Sequence, residues 1–226
     1  NGATFYNKAT LTGTGVPSKA EAAKGVGIGN NVIQKEAKGY NPQTQEITWK
    51  ITVNTSKQNL TSVKVTDTIP DGLKYVEDSA TITPAGLGSF TTLPDTTNKI
   101  LTYDFGTGTT INSTYSIIFK TTVTDAAIFA NNATKDYWNT AKLLVGELLS
   151  SDAAKQTVNS QVIEKTSAGY DYANKIVTWK IIANQNKMKL TNANVTDIIP
   201  NTLTFVPGSV TINGNPASAG NYSYDN

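Results

Sequence analysis

From Glu46 to Ile82 the chain reads EITWKITVNTSKQNLTSVKVTDTIPDGLKYVEDSATI. It opens on unbroken alternation, with Ile47, Trp49, Ile51 and Val53 on one side and Thr48, Lys50 and Thr52 on the other. A period of two around a large aromatic predicts a half-buried β-strand. A polar loop follows, and Val63 and Val65 then lead into Thr66-Asp67-Thr68-Ile69-Pro70. Asp71-Gly72 marks a turn, and Leu73, Tyr75 and Val76 start a further strand. The pattern recurs in Ile176–Ile212, IVTWKIIANQNKMKLTNANVTDIIPNTLTFVPGSVTI. Trp179, Asp197, Pro200 and Ile212 each stand 130 residues after Trp49, Asp67, Pro70 and Ile82. Such a period is too long for a solenoid or propeller unit, so each repeat is expected to be a domain with its own core, and both tryptophans are expected inside.

The flanking segments extend the recurrence. Ala3–Thr12 and Lys135–Leu144 share the pattern aromatic-Asn-x-Ala-x-Leu, with Asn7 and Asn139 132 residues apart. If the second closes a repeat, the first closes an earlier one. Residues 13–30 are rich in Gly, Ala and Lys without apolar periodicity, the composition of a connector, part of whose length could pair with the next sheet. Val32, Ile33 and Lys35 open the complete repeat. Residues 83–97 read as a Pro/Gly/Thr loop or short edge strands, followed by strands at Ile100–Phe105, Tyr115–Val123 and Tyr137–Val145. Thr124–Asn132 is the one helical patch, one or two turns long.

The expected architecture is all-β, a tandem of Ig-like β-sandwich domains. Residues 1–14 would be the last strand of a preceding repeat and 15–30 a connector. Residues 31–147 would form a complete Ig-like repeat, 148–160 a second connector, and 161–226 the first part of another repeat. The last part holds Lys165, Trp179 and Asp197 but no equivalent of Asn139. The parent chain is therefore expected to begin before Asn1 and continue past Asn226, with Lys165 partnered by a later Asn.

Composition removes several classes of function. The 226 residues carry 19 Lys plus Arg against 17 Asp plus Glu, a net charge of +2, with no basic cluster interleaved with aromatics that would suit nucleic acid. Cysteine and histidine are both absent, so disulfides, thiol chemistry and the commonest general base and metal ligand are excluded. Neither calcium-loop spacing nor a phosphate loop occurs, and no apolar run approaches the ~18 residues of a membrane span. No enzyme, cofactor or metal is expected.

The order Lys35, Trp49, Asp67-x-Ile-Pro and Trp138-Asn139-x-Ala resembles the Ig-like domains of Gram-positive surface adhesins, the collagen-adhesin type and its pilin relatives. The resemblance implies an intramolecular isopeptide bond between a Lys on the first strand, Lys35, and an Asn on the last, Asn139. A buried acid, Asp67, would promote the reaction. It implies the same roles for Lys165 and Asp197 in the second repeat, and for Asn7 in the preceding one. The chemistry fits the residue types: the amine attacks only when neutral, and the acid must be protonated to polarise the amide and pass a proton to the leaving ammonia. Lys35 is favoured over Lys38 because the repeat keeps Lys165 but has Ala168 at the second position. Taken singly, a strand lysine is a solvated face residue and an Asp before Ile-Pro a turn former; the constellation carries the reading.

Three functions follow. The first is an extracellular structural stalk, anchored to a cell wall or part of a surface fibre, stiffened by autocatalytic cross-links and partnered by neighbouring repeats of its own chain. The second is a ligand-binding adhesin region that grips a host or matrix protein. The third is a self-assembling fibre subunit. Near-identical motifs in successive repeats, and the lack of a long aromatic-rich loop, favour the stalk at the level of sequence.

Overall fold

The alternation over Glu46–Val53 forms its strand, and each inward residue is buried: Ile47, Trp49, Ile51 and Val53 are all at most 1% exposed. The structure, a computed structural model, describes residues 3–16, 20–28, 32–92, 100–130, 132–218 and 220–224. The expectations for residues 93–97 and 29–31, and for the first and last residues of the chain, lie outside them. Leu190–Asn226 forms a unit separate from Asn1–Lys189.

In chain order the first unit has β1 (Ala3–Thr10), β2 (Glu21–Ile28), β3 (Ile33–Asn41), β4 (Glu46–Val53), β5 (Leu60–Thr61), β6 (Val63–Thr68), β7 (Leu73–Tyr75) and β8 (Thr81–Thr83). There follow β9 (Ser89–Thr92), β10 (Ile100–Asp104), β11 (Thr110–Ile111) and β12 (Tyr115–Val123). The short helix α1 (Ala126–Ala130) comes next, then β13 (Thr134–Val145), β14 (Leu148–Asn159), β15 (Ile163–Asp171) and β16 (Ile176–Ala183). The helix falls inside the patch expected for it.

Two antiparallel five-stranded sheets enclose one core. The first has the order β14-β13-β6-β10-β9; the second runs β3-β4-β12-β7, with β8 also on β12. Trp49, Phe119 and Ile117 from one sheet meet Val65, Tyr103 and Leu143 from the other. Trp49 satisfies its indole N–H by donating to Thr121 Oγ1 at 3.0 Å, as a buried indole requires. Phe90, Tyr103, Phe105 and Tyr115 form an edge-to-face chain with centroid spacings of 4.5–5.0 Å.

Both stretches expected as connectors contain strands. Residues 148–160 are almost entirely β14, which pairs with β13 over twelve residues and also lies against β3. Within 15–30, β2 pairs with β1 in a hairpin. A hairpin supplies its pairing from backbone groups, so neither strand needed an apolar alternation to form.

The 130-residue recurrence reaches the backbone of the β15–β16 hairpin. Lys35 pairs with Ile51 and Lys165 with Ile181, and each hairpin has a bulge at Ala37/Gly39 or Ser167/Gly169. Asn54 and Asn184 both adopt positive φ, and each side chain brackets the residue four places on. Their Oδ1 atoms accept from the N–H of Gln58 and Met188 at 2.8 Å, and their Nδ2 atoms donate to the same residues' carbonyls. Burial differs, however. Trp179, expected in a core, is 46% exposed. β15 and β16 form a two-stranded sheet of their own, so among the described residues no strand flanks β16 as β12 flanks β4.

Among the described residues of the unit Leu190–Asn226, β17 (Thr211–Ile212) pairs with β18 (Asn215–Pro216), and Phe205 packs on Tyr224 at 4.4 Å.

Candidate cross-link site

Three polar residues occupy inward slots of otherwise apolar alternations. On β3 the inward positions are Ile33 and then Lys35; on β6 they are Val63, Val65 and then Asp67; on β13 they are Tyr137, Asn139, Ala141 and Leu143. Strand periodicity therefore turns all three into the core. Asp67 stands opposite Ala141, so Asn139 lies two residues along β13 on the same inward face. Lys35 comes from the other sheet and reaches Asp67 across the sandwich.

Lys35 Nζ makes a very short contact with Asp67 Oδ2 and lies 5.3 and 4.9 Å from the ring centroids of Trp49 and Phe119. Both charged groups are fully withdrawn from water. Ile51, Val65, Leu101, Tyr103 and Ile117 line a gap beside Asp67 with no room for a water molecule. Burial pushes the Lys35 ammonium below its usual range, against the opposing pull of Asp67 and Asp152. Burial pushes the Asp67 carboxyl up, against Lys35 and Asn139. Desolvation thus moves both partners toward their neutral forms. Asn139 is near enough to Asp67 to act on its carboxyl, yet neither of its amide atoms, nor Asp67 Oδ1, reaches a partner with hydrogen-bond geometry.

Such a site is costly as it stands. Each buried polar group left unpaired costs about 1–3 kcal/mol, and a buried ion pair repays its desolvation only when its remaining valences are satisfied. What the arrangement offers chemically is an amine, a carboxamide and an acid held together without water. Among the described residues no group of side chains is placed to hold a metal.

Lys35, Asp67 and Asn139 are brought together; the other three candidates are not. Asn7 is exposed on β1 and Lys165 is exposed on β15, its Nζ 4.8 Å from the Trp179 ring. Asp197 is exposed in an irregular segment of the second unit. Their side chains do not enter a core like that around Lys35: among the described residues, Asn7 and Lys165 lie on two-stranded hairpins and Asp197 lies on no strand. Sequence reasoning did not find Phe119, Thr121 or Asp152. The first two occupy inward positions of β12, but Asp152 lies in a polar stretch with nothing to single it out.

Two packed antiparallel sheets thus enclose a buried polar triplet of Lys35, Asp67 and Asn139. The chain belongs to the Collagen binding domain family, which matches residues 30–148, just over half of its length. No curated protein matches it. Among solved structures, it is 15% identical to the collagen-binding domain from a Staphylococcus aureus adhesin, covering 58% of this chain and 99% of that one (TM-score 0.41). The collagen binding subdomain of the Enterococcus faecalis surface protein ACE is 13% identical, with coverage of 55% and 94% (TM-score 0.39). The collagen binding domain of the Erysipelothrix rhusiopathiae surface protein RspB is 15% identical, with coverage of 80% and 60% (TM-score 0.43).

Proposed function

We propose that the chain is a ligand-binding region of an extracellular Gram-positive surface adhesin, and that its partner is a collagen-type protein of the host matrix. The observation that carries this is the match of residues 30–148, which hold the sandwich strands β3 to β13, to the Collagen binding domain family. It favours the adhesin over the stalk preferred from sequence. The test is binding of the full chain to immobilised triple-helical collagen, with fibronectin and heat-denatured collagen alongside. Saturable binding to the triple helix supports the reading, and equal signal on all three surfaces defeats it.

The same sandwich carries an internal cross-link in this reading. Neutral Lys35 attacks Cγ of Asn139; the Nζ–Cγ bond forms, the Cγ–Nδ2 bond breaks, and one proton passes from Nζ to the departing nitrogen, which leaves as ammonia. Protonated Asp67 donates to Oδ1 and relays that proton. Closure consumes the buried amine and the unsatisfied carboxamide and leaves one neutral amide bond beside Asp67. An intact mass lighter by one ammonia supports it; a full-length mass excludes it.

A further inference from the structure

Lys35 is gripped at both ends. Its ammonium meets Asp67, and its backbone N–H donates to Asp152 Oδ2 at 2.7 Å. The two acids lie in one transverse row: Asp152 on β14 stands opposite Ala141 on β13, and Ala141 stands opposite Asp67 on β6. Residues opposite one another across a ladder share a face, so one row of the first sheet holds the lysine of the second sheet at two points. β14 is the strand that lies against β3, and Asp152 is its side chain in that contact.

Asp152 lies past the end of the family match at 148, and the residue 130 places before it is Ala22. The second grip comes from a strand that follows Asn139 in the chain.

We propose that Asp152 is a positioning residue for the cross-link: by fixing the backbone of Lys35 it keeps Nζ at Asp67 and Asn139, and so makes closure wait for β14 to dock. The inference rests on the cross-link reading above. Asp152 touches none of the reacting atoms; it acts through the β3 backbone. Closure then belongs to the end of folding, after β13 and β14 have paired.

The groups facing Lys35 are Asp67 from β6, Asp152 from β14 and the rings of Trp49 and Phe119 from β4 and β12. The negative charge of Asp152 also holds the lysine's pKa up, against burial. Geometry and charge therefore act in opposite directions and can be separated. Asp152→Ala removes both, whereas Asp152→Asn keeps an oxygen acceptor and removes the charge.

The full chain and both variants would be made by cell-free translation and sampled over time by intact mass at several pH values. Asp152→Ala is expected to shed ammonia on the order of ten- to a hundredfold more slowly than wild type, the range that misplaced reactants produce. Asp152→Asn is expected to match the wild-type plateau rate, with its pH–rate profile moved to lower pH because the lysine becomes neutral sooner. Wild-type rates in Asp152→Ala overturn the proposal, as does an Asp152→Asn variant slowed like the alanine with an unmoved profile. A wild-type chain that keeps its full mass overturns the cross-link itself, and this role with it.

Discussion

The Lys35 ammonium lies 5.3 Å from the centre of the Trp49 ring, inside a core where the tryptophan is fully buried. A cation so placed gains from the ring quadrupole but loses its hydration. The tryptophan that anchors β4 therefore also forms the dry wall that favours a neutral amine. Lys35→Ala is expected to leave the mass full-length and to lower the thermal midpoint. The lost bond would close a loop of 104 residues between positions 35 and 139. Chain entropy for a link of that span is on the order of 4–5 kcal/mol, a large part of a domain's typical ~5–15 kcal/mol. Calorimetry with intact mass checks both expectations together.

Asp67→Asn keeps the size of the side chain but cannot relay a proton. It should fold, retain the ammonia and unfold near the midpoint of Lys35→Ala. A variant that still loses ammonia at the wild-type rate would show that Asp67 is not the proton relay.

Tyr137 gives a pH dependence. Burial, then the charge of Asp125, pushes its hydroxyl up to about 12, against about 10 for an unfolded tyrosine. A group raised in the folded state contributes stability that is intact below the unfolded value and is lost as pH climbs through the folded one. Stability should therefore fall between about pH 10 and about pH 12, and the Tyr137→Phe variant should show a shallower fall. Denaturant titrations across that window read the difference.

Asn132 joins the sandwich to the following hairpin. Its Oδ1 accepts the Val162 N–H at 2.5 Å and its Nδ2 donates to the Ile163 carbonyl at 3.2 Å. Asn132→Ala should speed hydrogen exchange at Val162 while costing the sandwich only about 1 kcal/mol. Unchanged protection at Val162 would show that the bracket does not hold the joint.

Trp138 is 61% exposed on the outward side of β13, beside Thr140 and in the same sheet as the outward Thr66 and Thr68 of β6. Proline-rich extended chains dock on exposed aromatic rings, and collagen strands are of that kind. Trp138→Ala is expected to weaken collagen binding by roughly thirtyfold, the scale of an interface hot spot, without altering the thermal midpoint. Surface plasmon resonance on immobilised triple helix measures it.

The core strands were legible because one side of each meets apolar partners and the other meets water, which writes a period of two into the sequence. β4 and β12 show it plainly. Lys35, Asp67 and Asn139 could be singled out because their combination resembled a family's site; their inward direction follows from Ile33, Val65 and Tyr137 two places before them. β14 could not be read. Only Val158 among its residues is buried, and its pairing is with the backbone of β13, which no side-chain pattern reports. Asp152 was hidden with it. Trp179 misled in the opposite way: alternation records a strand's inner side, but burial depends on what packs against it.

The strand β14 also decides how the sandwich would carry a load. With Lys35 joined to Asn139, tension entering at β3 crosses the bond and bypasses the 104 residues between them. What remains extensible is the stretch from Asn139 to Asn159, the hairpin of β13 and β14. Twenty residues at ~3.4 Å each can lengthen to about 70 Å, and they must first give up a continuous antiparallel ladder. The cross-linked domain would then behave as a stiff rod in series with one short, refoldable spring.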